Sequence, residues 1–145
     1  MLKISSIHLD QLRSHGEETY PNECCGVLLG KVDDNVNAKI VRSIVRCTNS
    51  RVDSPRNRYH IDPRELVRIQ REAREQEMDV IGFYHSHPDH PARWSKTDLE
   101  EAHWLGCSYV ITSVEQGRAL QSNSFVLAGD GEEQKRFEHE QIDIC

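Results

Sequence analysis

The chain has 145 residues, of which 37% are hydrophobic and 29% are charged, and its formal net charge is −6. This composition is typical of a globular protein and disfavours a disordered chain. The acidic balance disfavours nucleic acid as the main partner, because binding to phosphates requires a basic surface. No apolar run is long enough to span a membrane, and the first residues lack the core of a signal peptide, so we expect no membrane partner and a cytoplasmic location.

The first third of the chain predicts one helix followed by two strands. Residues 6–19 have the spacing of a short amphipathic helix, which Pro21 ends. The apolar run Cys25–Gly30 predicts a buried strand. The polar stretch Lys31–Asn37 predicts a turn, and 38–47 predicts the returning strand.

A polar, arginine-rich loop is predicted from Asn49 to His60. Its basic residues, Arg51, Arg56 and Arg58, are more typical of a solvated loop than of a binding patch. A helix follows and ends near Met78, with Asp62 as its cap, Pro63 at its first position and Glu65 completing a capping-box pattern.

The second half of the chain alternates again between strand and helix. Val80–Tyr84 predicts a strand that leads into His85. The pair Ser95 and Asp98 has capping-box spacing and predicts the start of a helix that runs to Leu105.

Two more strands are predicted at Ser108–Ser113 and Leu120–Leu127, and the charged tail from 132 to 145 has no obvious role in a core. Without repeats or a linker, we expect residues 1–145 to form one domain, with the tail loosely ordered. The mixture of helices and strands predicts an α/β protein, with a mixed sheet flanked by helices.

The five cysteines do not form a disulfide framework, because their number is odd and their spacing is irregular. In a reducing cytoplasm we expect free thiols. No Cys-x-x-Cys pair is present, so a structural zinc site built on sulfur is disfavoured. Cys47 and Cys107 lie in apolar surroundings and are predicted to be buried.

The segment from His85 to Asp98 carries the most informative motif. His85 and His87 stand two apart at the end of a predicted strand, so that both imidazoles lie on one face and can bind one ion. Asp98, in the first turn of the next helix, can complete the ligand set. Two imidazoles and one carboxylate are a ligand set of catalytic zinc sites, which keep the fourth position for water.

Hydrolysis also requires a base and a group that stabilises negative charge on the substrate. Glu23 precedes a buried strand, where partial loss of water raises the pKa of a carboxyl group. Ser95 can donate a hydrogen bond to an oxyanion. Each residue also has an ordinary alternative: Glu23 as a surface carboxylate, and Ser95 as a helix cap.

Taken together, these residues resemble the JAMM or MPN+ metallopeptidase family, whose pattern is a glutamate upstream of His-x-His-x7-Ser-x2-Asp. Every position is present, as Glu23, His85, His87, Ser95 and Asp98. The resemblance implies a fold similar to that of cytidine deaminases. It also implies one catalytic zinc ion with bound water on His85, His87 and Asp98, with Glu23 as the acid and base and Ser95 stabilising the intermediate.

Members of this family cleave bonds at the C-terminal tails of ubiquitin-like proteins. Only the loop Asn49–His60 could serve as an extra segment like those with which the larger deubiquitinating relatives grip ubiquitin, and nothing comparable follows Asp98. The chain therefore looks like the compact, stand-alone bacterial type. The resemblance therefore implies a zinc metallopeptidase that hydrolyses a peptide or isopeptide bond at the tail of a small ubiquitin-like protein of the sulfur-carrier type.

Two rival functions remain open at the level of the sequence. One is an isopeptidase that removes ubiquitin-like modifiers from lysines, and the other is a non-catalytic interaction domain. A nucleobase deaminase is disfavoured, because the His-x-Glu and Pro-Cys-x-x-Cys ligand pattern is absent.

Several conspicuous residues near the motif have no assigned role. His90 is more typical of an exposed loop histidine than of a ligand, and His103 is predicted to face away from Asp98. Trp94 can line a substrate groove or pack in the fold. The thiols of Cys24 and Cys25 are not required for the predicted chemistry.

Overall fold

The computed structural model describes every residue from Met1 to Cys145. Its helices and strands are, in chain order, β1 (Leu2–Ile4), α1 (Ser6–Thr19), β2 (Cys25–Asp33), β3 (Ala38–Cys47), α2 (Pro63–Glu75), β4 (Asp79–Pro88), α3 (Lys96–Glu101), β5 (Ser108–Glu115), β6 (Arg118–Ala128), β7 (Arg136–Glu140) and β8 (Ile142–Ile144). All eight strands join one sheet in the order β7-β6-β5-β4-β2-β3-β1-β8. None of the helices combines the length and apolar composition needed to cross a membrane.

The sheet is mixed, which confirms the predicted α/β class. β2 pairs antiparallel with both β3 and β4. β4 pairs parallel with β5, and the connection between them contains α3. A parallel pair needs such a crossover, because its strands run in the same direction. The C-terminal end of β4 therefore lies next to the loop that leads into α3, which carries the second half of the motif.

Helices α1 and α2 cover opposite faces of the sheet. Leu12 of α1 packs in one buried cluster with Leu28 of β2, whereas Ile69 of α2 packs in another with Val27. Val27 and Leu28 are neighbours in one strand, so their side chains point to opposite faces. Each face of the central sheet is thereby kept away from water.

Two predicted helix ends were wrong. α2 ends at Glu75 and not near Met78. Two residues after this end, Glu77 has a left-handed backbone conformation with φ 58°. α3 ends at Glu101 instead of Leu105, because Ala102 is extended and its side chain is buried among the residues that face α2. The chain leaves the helix early because Ala102 and Trp104 pack into that cluster.

The charged tail differs from its prediction as well. It forms β7 and β8, and Phe137 packs against the cluster that faces α2. Glu140 is buried, and its carboxylate accepts hydrogen bonds from the hydroxyls of Ser108 at 2.6 Å and Ser124 at 2.8 Å. The alternating charges of β7 do not indicate a strand in the sequence. The segment is a strand because it pairs with β6. The short β1 was not predicted either.

Candidate metal centre and cleft

The C-terminal end of β4 presents two histidines on one face of the sheet. His85 and His87 alternate with Tyr84 and Ser86, and both imidazoles are buried. The Tyr84 hydroxyl instead lies 2.8 Å from Nδ1 of His15 in α1, on the opposite face. This alternation, which the sequence predicted, follows from the pleat of a strand.

Asp98 reaches the same point from the start of α3. The Ser95 hydroxyl accepts a hydrogen bond from the Asp98 backbone N–H at 3.0 Å, and the Ser95 N–H donates to Oδ2 of Asp98 at 2.9 Å. This reciprocal capping box holds the helix start and the carboxylate together. The predicted cap is therefore present and orients Asp98.

Three side chains converge in this arrangement. His85 Nε2 and His87 Nε2 are 3.2 Å apart, and the two carboxylate oxygens of Asp98 lie 3.2 Å from His85 Nε2 and 3.0 Å from His87 Nε2. Donor atoms around a tetrahedral ion such as zinc, each about 2.0–2.1 Å from it, are separated by about 3.3 Å. The donor set and its spacing fit one metal ion.

The ring of His87 is held for this purpose by a contact on its far side. His87 Nδ1 lies 2.9 Å from the Pro91 carbonyl oxygen, so Nδ1 donates and Nε2 is left with a lone pair facing the other two donors. Backbone carbonyls commonly orient ligand histidines in this way.

Electrostatics keep the Asp98 carboxylate ionised. Burial alone raises the pKa of Asp98, but attraction to His85 and the close polar contacts with both imidazoles outweigh burial. The net result is a pKa well below the usual range of an aspartate. Asp98 is thus available as a charged ligand at any physiological pH.

Glu23 reaches the same face through the pairing of β2 with β4. Cys25 is opposite His85 in this antiparallel pair, and the Cys24 N–H donates to the Ser86 hydroxyl at 2.8 Å. Because side chains alternate, Glu23 projects to the face of His85 and His87. It is 3% exposed, so the prediction that this carboxyl is desolvated is confirmed.

The environment of Glu23 favours its protonated form when no cation is present. Burial, followed by the negative charges of Asp98 and Glu101, raises the pKa of Glu23 to about 9. Its Oε1 atom is buried and makes no hydrogen bond. A buried carboxyl oxygen without a partner is suited to exchange a proton with a molecule that enters the site.

A cleft with a volume of about 730 Å³ opens over these residues. Glu23, His87 and Ser95 all line it. The Ser95 oxygen accepts from the Asp98 N–H, which leaves its own hydroxyl proton free to donate. The structure therefore places one cleft beside the three converging donors, the buried carboxyl group and a hydroxyl donor.

The sequence did not reveal the contribution of the loop from Asn49 to His60. The Tyr59 ring stacks on His85 with a centroid distance of 4.6 Å and an interplanar angle of 25°. The Glu23 N–H donates to the Pro55 carbonyl at 2.8 Å, and Asn57 and Arg58 line the cleft. The sequence made this loop the only candidate for a segment that grips a ubiquitin-like protein, but its polar composition does not indicate where the loop packs.

The other conspicuous side chains near the motif divide between the cleft and the surface. His90 and Trp94 line the cleft, so both are placed where a substrate could contact them. His103 instead pairs with Glu132 at 2.8 Å on the surface, outside the converging donors.

Four of the cysteines are buried free thiols. Burial raises the pKa values of Cys24 and Cys25, so neither is a reactive thiolate at neutral pH. Cys47 and Cys107 are buried as well, which confirms the prediction for both.

Comparison with characterised proteins gives relatives of similar size. The chain is 36% identical over 116 residues to a desampylase of Haloferax volcanii, covering 77% of this chain and 80% of the relative. It is 29% identical over 112 residues to a probable TtuB-protein conjugate cleaving protease of Thermus thermophilus, covering 77% of this chain and 70% of the relative.

Two solved structures and one family of domains are also similar to this chain. A solution structure from Desulfitobacterium hafniense superposes with a TM-score of 0.83 at 28% identity, covering 100% of this chain and 93% of the other. A protein from Salinibacter ruber gives 0.74 at 42% identity, covering 100% and 92%. Residues 5–127 match the prokaryotic homologs of the JAB domain. The chain therefore belongs to this JAB family, which confirms the resemblance to JAMM/MPN+ proteins of the compact bacterial type.

Proposed function

We propose that this chain is a zinc-dependent metallopeptidase that hydrolyses the bond between the C-terminal tail of a small ubiquitin-like protein, of the sulfur-carrier type, and the group attached to it. One observation carries the proposal: Glu23, with its unpartnered oxygen, lines the cleft beside the converging atoms of His85, His87 and Asp98. The names of the relatives, desampylase and TtuB-protein conjugate cleaving protease, support a protein conjugate as the substrate.

Each residue of the site has a defined part in this reaction. His85, His87 and Asp98 hold the ion, which when bound supplies a Lewis acid that activates water near neutral pH. Glu23 accepts the proton that the attacking water loses and passes it to the leaving nitrogen as the carbon–nitrogen bond breaks. The Ser95 hydroxyl donates to the carbonyl oxygen of the substrate, where negative charge develops.

A metal ion held by His85, His87 and Asp98 would also change the protonation state of Glu23. Burial keeps this carboxyl protonated in the metal-free protein, with a pKa of about 9. A positive charge close to a carboxyl group favours the ionised form. Loading the site therefore converts Glu23 from an acid into the base that the reaction needs.

The test combines a metal assay with a hydrolysis assay. The substrates are a ubiquitin-like protein ending in Gly-Gly, extended by a short peptide, and the same protein joined to a lysine side chain. Glu23→Gln should retain one zinc per chain and lose about 10²–10⁴-fold in turnover. His87→Ala should lose both the zinc and the increase in melting temperature that zinc produces.

His90→Ala is the matched control for the metal assay, because His90 lines the same cleft outside the converging donors, and it should retain zinc. Full turnover by Glu23→Gln would show that another group is the base. A wild-type protein that takes up no zinc from metal-replete medium would instead favour the non-catalytic interaction domain. Preference for the lysine-linked substrate would favour the isopeptidase.

A further inference from the structure

Two arginines lie in the wall of the proposed catalytic cleft. Arg58 comes from the loop before α2, and Arg93 comes from the loop between β4 and α3. Both side chains line the cleft together with Glu23, His87 and Ser95. The approach to the proposed reacting bond is therefore positively charged on two segments of chain.

Neither guanidinium group has a partner within the protein. The guanidinium groups of Arg58 and Arg93 take part in no ion pair and in no hydrogen bond of the structure, although the chain has 24 acidic and only 18 basic residues. Other arginines of the chain do form ion pairs, namely Arg46, Arg51, Arg64, Arg68 and Arg136. Six further arginines outside the cleft form no ion pair, so what distinguishes Arg58 and Arg93 is their position in the cleft wall beside Glu23, His87 and Ser95.

The backbone at both arginines is anchored, so their side chains start from defined positions. The Arg58 carbonyl accepts from Asn49 Nδ2 at 3.0 Å, and the Arg58 N–H donates to the Ser54 carbonyl at 3.0 Å. The Arg93 N–H donates to the Pro91 carbonyl at 2.8 Å, next to the buried Ala92. A group held by its backbone loses less entropy when its side chain binds a ligand.

We propose that Arg58 and Arg93 bind a carboxylate of the substrate within this cleft. This inference rests on the proposed function and specifies its substrate class. A planar guanidinium binds a carboxylate through paired hydrogen bonds, and it also offsets the repulsion that Glu23 and Asp98 exert on an incoming negative charge. Such a carboxylate has two sources: the α-carboxylate of an amino acid released from the carrier tail, or an acidic side chain beside an acceptor lysine.

The test uses two matched pairs of substrates built on one ubiquitin-like protein ending in Gly-Gly. In the first pair the tail is extended by a single alanine, which ends either in a free carboxylate or in a carboxamide. In the second pair the tail is joined to the lysine of a short amidated peptide in which the next residue is either aspartate or asparagine. Within each pair only one negative charge changes.

Wild-type protein loaded with zinc should prefer the charged member of one pair by about tenfold to a hundredfold in kcat/KM, mainly through KM. Preference in the first pair identifies the α-carboxylate, and preference in the second identifies the acidic side chain. Arg58→Gln and Arg93→Gln should each reduce that preference, because they lower kcat/KM for the charged member more than kcat/KM for the uncharged one. Arg71→Gln is the control, because this exposed arginine of α2 also has no ion pair and does not line the cleft.

Binding is measured in parallel with Glu23→Gln, so that a failure of the proposed hydrolysis is distinguishable from a failure of this inference. Tighter binding of a charged member by Glu23→Gln, lost in the double variants with Arg58→Gln or Arg93→Gln, supports the carboxylate site even if the wild type cleaves nothing. Equal binding and equal cleavage within both pairs would overturn it. A preference that survives both arginine substitutions would overturn it as well.

Discussion

At the scale of single residues, Asp98 links the start of a helix to the metal centre. Its Oδ2 atom accepts a hydrogen bond from the Ser95 N–H and lies 3.0 Å from His87 Nε2, while Oδ1 lies 3.2 Å from His85 Nε2. A carboxylate with both oxygens engaged has little rotational freedom. The capping box therefore prepares a ligand in addition to stabilising α3.

The cap that Ser95 forms and the catalytic role proposed for it can be separated by two substitutions. Ser95→Ala should lower the free energy of unfolding by about 1 kcal/mol, whereas Ser95→Gly should cost only a few tenths because glycine is a tolerable cap. Both remove the hydroxyl, so both should lose about 10²–10³-fold in kcat. Urea unfolding and steady-state hydrolysis measure the two effects. Normal turnover by Ser95→Gly would mean that the residue acts only as a cap.

Glu23 should make the stability of the metal-free protein depend on pH. Burial raises its pKa in the folded state to about 9, whereas an unfolded glutamate titrates near pH 4.3. Between these values the folded state binds more protons, so the free energy of unfolding falls as pH rises, by at most about 1.4 kcal/mol per pH unit. The stability that the protonated Glu23 contributes is fully present below its pKa in the unfolded chain. It is lost as pH rises through its pKa in the folded protein, about 9.

Urea unfolding of chelated protein from about pH 5 to about pH 9 measures this slope. Glu23→Gln should flatten it and be more stable than wild type at the alkaline end. Glu133→Gln, at an exposed position, is the control and should keep the wild-type slope. An equal slope in wild type and Glu23→Gln would contradict the raised pKa of Glu23.

At the scale of elements, Gly26 of β2 makes room for the Tyr84 side chain of β4 on the sheet face that α1 covers. A side chain on Gly26 would overlap the Tyr84 ring. The missing Cβ lets Tyr84 pack across β2 and reach His15 of α1. Because Tyr84 is committed to the α1 face, His85 and His87 are committed to the other face, where Glu23 and Asp98 lie.

The Asn49 side chain makes four of the hydrogen bonds that hold the loop from Asn49 to His60, in addition to those from Ser50 to His60 and from Glu23 to Pro55. Asn49 Oδ1 accepts from the N–H groups of Arg51 and His60, each at 3.1 Å. Its Nδ2 donates to the carbonyl oxygens of Arg58 at 3.0 Å and Glu23 at 3.3 Å. The same residue thus closes the base of the loop and ties it to the backbone of the proposed base.

Asn49→Ala should release both connections. We expect a loss of about 1–3 kcal/mol in the free energy of unfolding, because backbone groups lose their partners, and a lower kcat as Glu23 becomes less well placed. Asn49→Asp keeps the two accepting bonds and loses the two donating ones, so it separates loop closure from the tie to Glu23. Thermal unfolding and hydrolysis are the measurements. Wild-type kcat in both variants would rule out a positioning role.

At the scale of the whole molecule, the buried carboxylate of Glu140 joins the end of the sheet to its centre. It accepts from Ser108 on β5 and Ser124 on β6, and Lys39 of β3 lies 3.3 Å away. Burial raises the pKa of Glu140, but these hydrogen bonds and the nearby positive charges lower the pKa by more than burial raises it. The net shift is therefore downward. The tail is therefore held by the hydrogen-bonded carboxylate of Glu140 as well as by the packing of Phe137.

Removing this carboxylate should destabilise the whole domain. Glu140→Ala leaves buried hydroxyls and Lys39 without their acceptor, and we expect a loss of about 3 kcal/mol in the free energy of unfolding. Glu138→Ala, at an exposed position of the same strand, should cost less than about 1 kcal/mol. Denaturant titration distinguishes the two, and equal stabilities would show that the buried carboxylate does not hold the tail.

Much of the candidate site was predictable because its signals are local. The alternation of His85 and His87 and the spacing of Ser95 and Asp98 depend only on the period of a strand and the geometry of a helix start. The start of α2 at Asp62 and Pro63 was visible for the same reason, and the structure confirms it with an Arg64 N–H to Asp62 bond of 2.9 Å. Glu65 does not complete the predicted capping box, since the Asp62 side chain accepts from the Arg64 N–H and not from that of Glu65.

The contacts that complete the site depend on segments far apart in the chain. Tyr59 against His85, the Pro91 carbonyl behind His87 and Arg58 in the cleft wall have no sequence pattern that marks them. The strand in the tail escaped prediction because a charged segment becomes a strand only when a partner strand is present.

The metal motif, the family and the order of most helices and strands can be read from the sequence, since each of these follows from short-range periodicity and residue type. The position of Glu23 on the face of His85 and His87 becomes visible only in the folded chain, because it depends on the register of β2 against β4. The same holds for the two unpaired arginines that face the cleft and for the tail that completes the sheet. Register and packing are long-range properties, which arise when the chain closes on itself.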